Sequence, residues 1–424
     1  MEVDKFRDPI HGFIEVRRLE KRIIDSPPFQ RLRNIKQLAM TYYVYHGAEH
    51  TRFGHSLGVM HLVTKAFNAT VMNAGRYFEE AKRRRYEQIL RLIALTHDLG
   101  HAPFSHAAEA VFPEGKEHED FTEDIIMNTE IADIVHEIGN EFVEAYGEEY
   151  NITPQLICDI YMGRNPGPNS EYTFLKSFMD SELDCDKMDY LLRDSHYCGV
   201  KYGNFDVDRL IESLTIYESN GMPKLAIAGG GVQAFEEFVL ARYFMFIQVY
   251  FHRTRRFFDI MLGKALKEVL PNGRFPGETN EYLKFDDGRV LQLIKDSVDK
   301  SDACYNIIHR KVYPRVCYTK AHPAEADKRE FRRNERELKE KIGEQFFIED
   351  VSAGKMPHKI PLRIEKDDEK AIVIYDQKTG RVTTISEESE IIKSLSEKID
   401  IMSLYCHPEK SKEAYEIMKK INEE

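Results

Sequence analysis

The sequence predicts a mainly α-helical fold with small β-hairpins, followed by a smaller C-terminal region that mixes helices and strands. Three observations carry this reading. Before residue 343 most apolar residues recur at intervals of three and four, the period of a helix with one buried face. Two short β-prone runs, 214–217 and 224–228, flank Ser219-Asn-Gly-Met-Pro223, which reads as the turn of a hairpin. After residue 345 the pattern changes, and 346–351, 362–365, 371–375 and 381–385 read as strands. With 424 residues and 42% hydrophobic content, the chain can bury one large core and a smaller one. We place the division at 1–330, a catalytic unit with a helical extension, and 331–424, a C-terminal α+β region.

In chain order, Asp8-Pro-Ile-His-Gly12 is a turn and 13–16 is a short strand. Asp25-Ser-Pro-Pro28 opens a helix, a capping residue followed by prolines in the first turn. Phe29, Leu32, Ile35 and Leu38 continue it at helical spacing, with Arg31, Arg33 and Lys36 facing elsewhere. A short connection at 42–45 leads to a helix over 56–74 with His55 at its start. The charged segment 79–87 runs into a helix whose stripe is Ile89, Leu92, Ile93 and Leu95. Gly100 stops that helix and Pro103 prevents its resumption, so His97 and Asp98 fall at a buried helix end. Residues 107–160 are helical, 165–169 form a loop, and 173–195 form one helix. The stretch 232–270 is a long helix whose aromatic stripe is core. The segment 326–342 is a charge-dense connecting helix with solvated faces. Gln377-Lys-Thr-Gly380 is a hairpin turn, and helices end the chain near 387–398 and 410–423.

Composition narrows the function. A net charge of −12 argues against nucleic acid as the main partner, although a local basic pocket can still receive an anionic substrate. Six cysteines without a C-x-x-C pair leave no thiolate zinc site and no disulfide framework. The first residues lack an apolar core, and no apolar run has the length of a membrane span. A cytoplasmic protein without a membrane partner is expected.

Four residues stand out as metal ligands: His55, His97, Asp98 and Asp186. This mixed nitrogen and oxygen set suits manganese, iron, nickel or zinc and fits calcium poorly. Such an ion acidifies water and polarises a phosphoryl oxygen. Tyr190 and Asp194 share the helical face of Asp186, with Lys187 beside them; that face is either solvated or a pocket wall. His101, His106, His118 and Glu119 are candidate proton carriers; His106 is the better candidate for leaving-group acid, with Glu109 three residues on to hold the imidazole tautomer and His118 in support. Arg52, Lys187 and Arg242 are candidates for phosphate oxygens.

The segments Phe6-Arg-Asp-Pro-Ile-His-Gly12, Phe29-Gln-Arg-Leu-Arg-Asn-Ile-Lys-Gln-Leu38, His50-Thr-Arg-Phe-Gly-His-Ser-Leu-Gly58, His97-Asp-Leu-Gly-His-Ala-Pro-Phe-Ser-His106 and Asp186-Lys-Met-Asp-Tyr-Leu-Leu-Arg-Asp194 resemble the deoxynucleoside triphosphate triphosphohydrolases of the HD phosphohydrolase superfamily. The resemblance runs from about residue 5 to residue 260. It implies a helical HD-domain core with one divalent transition metal on His55, His97, Asp98 and Asp186, and magnesium accompanying the substrate triphosphate. It implies attack of activated water on the α-phosphorus of a dNTP, releasing deoxynucleoside and inorganic triphosphate. Arg52, Lys187, Tyr190 and Arg242 match positions that hold the triphosphate, Gln37 and Asp194 match contacts to the 3′-hydroxyl, and Leu38 and Tyr250 match the wall that crowds a 2′-hydroxyl. His101, His106 and His118 match the polar cluster near the leaving oxygen. Family members commonly form homotetramers, and some take a nucleotide activator. Asp25, Gln30 and Arg33 match activator positions, or are a helix cap and a solvated face. Gly54 departs from the family, where relatives often carry Glu. A phosphodiesterase or nucleotidase of the same superfamily, acting on cyclic or signalling nucleotides, and a non-catalytic nucleotide sensor are the alternative readings.

Overall fold

A computed structural model describes residues 3–75, 77–164, 171–351, 372–395 and 398–423, with all their side chains except those of His106 and Asn422. The expected loop at 165–169 and the expected strand at 362–365 lie outside the described residues.

The chain starts with an antiparallel hairpin, β1 (Val3–Asp8) and β2 (Gly12–Arg17). The Asp8 carboxylate accepts the N–H groups of Ile10 and His11 at 2.9 and 3.0 Å and so builds the turn. Two short helices follow, α1 (Arg18–Asp25) and α2 (Pro27–Arg31). The helix expected through Leu38 ends at Arg31. A 3₁₀ turn takes Leu32–Asn34, and Ile35 is extended. The cause is long-range pairing: Arg52 donates its N–H to Ile35 O at 3.0 Å, and Gln37 donates to His50 O at 3.1 Å. Lys36 is therefore bridged to Thr51, and Gln37 and Leu38 lie in the turn that follows it.

The centre of the molecule is α3 (Arg52–Asn73) packed on α4 (Glu80–Thr96). α3 begins one turn earlier than the apolar period shows, so His55 lies inside it. Then come α5 (His118–Asn128), α6 (Glu130–Tyr146), α7 (Pro154–Met162) and α8 (Tyr172–Lys176). The expected helix 173–195 is broken. α8 stops, and α9 (Cys185–Cys198) starts afresh because Asp184 caps it, accepting the Lys187 N–H at 2.8 Å. After α10 (Val207–Glu212) the expected hairpin forms as β3 (Leu214–Ser219) and β4 (Met222–Ala228). The expected helix 232–270 is also interrupted. α11 (Val232–Met245) passes into a π turn, Phe246–Tyr250, before α12 (Arg253–Val269).

Three short helices, α13 (Thr279–Tyr282), α14 (Asp287–Asp296) and α15 (Asp302–Ile308), form a second apolar cluster with α12. Next are β5 (Arg315–Tyr318), α16 (Glu325–Ile342), β6 (Phe347–Asp350), β7 (Val373–Asp376), β8 (Arg381–Thr384), α17 (Ile385–Glu388), α18 (Glu390–Ser394), β9 (Ser403–Cys406) and α19 (Ser411–Glu423). Residue 330 falls inside α16. β7 pairs in parallel with β4, giving the sheet order β3-β4-β7-β8, and β9 lies between β5 and β6. Ile372, Ile374, Ile385 and Ile392 are buried in the same core as α3, α4 and α9. All six cysteines are buried without disulfides, and no helix among the described residues is long and apolar enough to cross a membrane.

Candidate functional site

The last turn of α4, Leu92 to Thr96, is buried on every side, so the helix delivers His97 and Asp98 into the interior. His97 donates Nδ1–H to Ala94 O at 2.8 Å, which leaves its Nε2 lone pair facing the site. His55 donates Nδ1–H to Asp189 at 2.8 Å, with the same result. His55 Nε2 is 2.9 Å from Asp186 Oδ1 and 3.7 Å from Asp98 Oδ2; His97 Nε2 is 3.4 Å from Asp98 Oδ1 and 3.7 Å from Asp186 Oδ1. His97 Nε2 is buried and has no hydrogen-bond partner among the described residues. Ligand atoms of His55, His97 and Asp98 lie within 4.8 Å of one another, and Asp186 closes the ring from α9. The donor set fits a divalent metal, because two buried imidazole lone pairs and two carboxylates converge where only a cation satisfies all four. Burial works against charge on His55, yet hydrogen bonds to Asp186 and Asp189 and the nearby Asp98 push its pKa up to about 10.

The turn after α4 is fixed carbonyl by carbonyl. Thr122 Oγ1 and Tyr161 OH donate to His97 O at 3.1 and 3.2 Å, and His101 N donates to Asp98 O at 3.1 Å. Arg31 donates NH1 to Leu99 O at 3.2 Å and NH2 to His101 O at 3.0 Å, and Tyr282 OH donates to Gly100 O at 2.7 Å. Gly100 serves close approach as well as helix termination: a Cβ there would lie 1.9 Å from His118 O. That approach lets the His118 ring stack on His101, centroids 4.1 Å apart at 18°. His118 Nδ1 is 3.0 Å from Glu119 and 3.8 Å from Glu109, and His101 Nε2 is 3.2 Å from Asp98 Oδ1. Burial, Arg52 and His118 hold the His101 pKa well below the usual imidazole range. The side chain of His106 lies outside the described residues; Glu109 sits in a 3₁₀ segment, Ser105–Val111, rather than an α-helix.

The cations expected to meet phosphate are each held by acids. Arg52 NH1 donates to Asp98 Oδ2 at 2.7 Å and its Nε donates to Ser105 Oγ at 2.9 Å. Lys187 binds the Asp184 carboxylate and Ser181 O. Arg242 NH1 donates to Glu182 at 2.9 Å, and its Nε is buried without a hydrogen-bond partner among the described residues. Asp194 accepts His50 Nε2–H at 2.7 Å and Tyr250 OH at 2.6 Å. A cleft of about 450 Å³ opens onto the metal-ligand set, lined by Gln37, Arg52, His118, Glu119, Asp186 and Tyr190 among others. Leu38 is buried in the main core. Asp25 pairs with Lys21, Gln30 accepts Arg33 Nε–H at 2.8 Å, and Arg33 lies over the Phe53 ring at 3.5 Å. The sequence reading missed Arg31, Tyr282 and Asp189. Asp189 was legible as a third acid on the Asp186 helix; the partners of the other two are too remote in sequence to leave a local signal.

This chain matches the HD domain family over residues 52–181 and the HD associated region over residues 205–422. It is 30% identical over 417 residues to the uncharacterized protein YwfO of Bacillus subtilis, covering 93% of this chain and 89% of that protein. It is 29% identical over 343 residues to the deoxynucleoside triphosphate triphosphohydrolase SAMHD1 of Gallus gallus, covering 72% of this chain and 54% of that relative. Among solved structures, a hypothetical protein from Aquifex aeolicus superposes with a TM-score of 0.80 at 31% identity, over 98% of this chain and 100% of that one. A phosphohydrolase from Bacteroides thetaiotaomicron superposes with a TM-score of 0.69 at 25% identity, over 96% and 100%.

Proposed function

From the premise that this chain belongs to the HD phosphohydrolase family, we propose that it hydrolyses deoxynucleoside triphosphates to deoxynucleoside and inorganic triphosphate. The observation that carries the reading is the convergence of His55, His97, Asp98 and Asp186 at the end of a cleft that also holds Arg52 and Tyr190. Those four residues hold the metal, which when bound supplies Lewis acidity and lowers the pKa of water. Arg52, reaching Asp98 and the cleft together, aligns the α-phosphate with the metal ligands. Lys187 and Arg242 exchange Asp184 and Glu182 for the outer phosphates, and Tyr190 donates between them. Asp194, already an acceptor for His50 and Tyr250, takes the 3′-hydroxyl with Gln37, whose buried Oε1 has no hydrogen-bond partner among the described residues. His118, oriented by Glu119, stacked on His101 and with Glu109 3.8 Å away, delivers the proton to the leaving 5′-oxygen, the role the sequence assigns first to His106, whose side chain lies outside the described residues.

A homotetramer, a nucleotide activator held near Asp25, Gln30 and Arg33, and magnesium on the triphosphate belong to the same reading; light scattering with and without nucleotide tests the assembly. The deciding experiment incubates purified, metal-loaded protein with each dNTP and NTP and separates the products by chromatography. Deoxynucleoside and inorganic triphosphate in equal amounts are expected. Release of monophosphate with pyrophosphate, or a preference for NTPs, overturns the proposal.

A further inference from the structure

Asp189 stands behind the ligand set, fully buried on α9. It accepts four N–H groups. His55 Nδ1 and Arg193 Nε reach Oδ2, each at 2.8 Å, while His11 Nε2 and Arg193 NH2 reach Oδ1 at 2.6 and 2.9 Å. Arg193 then turns its NH1 to Asp8 Oδ2 at 2.9 Å. Asp8 is the residue whose other oxygen builds the turn carrying His11. The N-terminal hairpin is thus joined twice to one carboxylate, directly through His11 and indirectly through Asp8 and Arg193. Glycines on α3 make the room. A Cβ at Gly58 would lie 1.9 Å from Asp189 Oδ1 and 2.4 Å from Arg193 NH2, and one at Gly54 would lie 3.3 Å from Arg193 NH1.

We infer that Asp189 is a positioning residue for the metal, and that the N-terminal hairpin, through His11 and Asp8, is part of that site. A carboxylate facing four donors can only accept, so His55 must carry its proton on Nδ1 and keep the Nε2 lone pair toward His97, Asp98 and Asp186. A buried ion pair serving stability alone would need Asp189 and Arg193 but not His11 or the His55 contact. This inference rests on the metal reading proposed above, and its test separates the two.

The measurement is the affinity of the metal-free protein for manganese(II), by chelator competition, with the far-UV circular dichroism and thermal midpoint of the same samples. In Asp189→Asn an amide can accept from His55 or from His11 but not from both while facing Arg193, so affinity is expected to fall roughly 10–100-fold in protein that remains folded. Asp189→Asn that folds and binds manganese(II) as tightly as wild type overturns the inference. If Asp189→Asn does not fold, the hairpin variants decide. His11→Ala is expected to weaken manganese(II) binding by a smaller factor, and His11→Gln, which still offers an N–H, is expected to restore it. Equal affinity in wild type, His11→Ala and His11→Gln overturns the inference. Wild-type protein that binds no divalent ion overturns the metal reading instead.

Discussion

Arg31 offers the sharpest test of how the turn after α4 is held. The residue is 7% exposed, and its guanidinium donates to three carbonyls, Phe285 O at 2.8 Å, Leu99 O at 3.2 Å and His101 O at 3.0 Å. No carboxylate pairs with it among the described residues; the Tyr282 ring lies 5.1 Å away. Arg31→Lys keeps the charge and removes the planar fork. An ammonium on a single stem reaches one of these carbonyls and strands the other two. At about 1–3 kcal/mol for each stranded group, the variant is expected to lose about 2–6 kcal/mol, a large part of a typical 5–15 kcal/mol stability. Tyr282→Phe is the graded control. It removes only the 2.7 Å bond to Gly100 O, keeps the stack on Phe121 at 3.8 Å, and is expected to cost about 1–3 kcal/mol. Urea unfolding of metal-free protein followed by circular dichroism gives both values, and elemental analysis of the folded variants reports whether the ligand set keeps its geometry. Arg31→Lys within about 0.5 kcal/mol of wild type would refute the claim that guanidinium geometry holds the turn.

Three further outcomes are expected. The double change His97→Ala, Asp98→Ala abolishes bound metal by elemental analysis, and full occupancy would remove both from the ligand set. Burial pushes the Asp287 carboxyl up to about 7 even though it accepts the N–H groups of Lys36 and Phe104. A folded value above the unfolded one means its contribution is present below about pH 4 and is lost as pH rises toward 7. Asp287→Asn should therefore gain on wild type by roughly 2–4 kcal/mol between about pH 4 and pH 8 in urea unfolding, and a relative loss over that range would contradict the assignment. Leu38→Ala opens a cavity in the main core and is expected to cost about 2–5 kcal/mol. If Leu38 also crowds the sugar, NTP turnover rises relative to dNTP turnover in the folded variant; an unchanged ratio leaves it a packing residue only.

The proposed ligand residues stood out in the sequence because each sits in a short motif with a local cause: a helix end for His97 and Asp98, a helix start for His55 and a helix face for Asp186. Two β-prone runs around a turn located the 214–228 hairpin, and periodicity located most helices. It failed where distant backbone intervened. Residues 35–37 keep the helical spacing but are drawn out by pairing with residues 50–52. Aromatic density masked the π turn at Phe246–Tyr250, and β9 gave no turn signal because it joins strands far away in sequence. Arg31 was read as facing away from the helix stripe; its partners are Leu99, His101 and Phe285, which no local window contains. The residues that hold the ligands, Arg31, Tyr282, Asp189 and His11, are therefore the ones a linear reading finds last.

The parallel pairing of β4 with β7 bears on how the protein is made. Ala226 and Ile227 find Val373 and Ile374 as neighbours only after nearly the whole chain has been synthesised. At about 5–20 residues per second, one hydrogen-bonding edge of β4 stays open on the ribosome for roughly 7–30 s after β4 itself emerges. An open edge of this kind pairs readily with other chains. A nascent chain stalled before β7, or a gene cut at residue 330, would carry the complete ligand set together with an uncovered edge. Such a fragment is expected to aggregate through β4 rather than through the site, and to be rescued by supplying the 372–384 segment in trans.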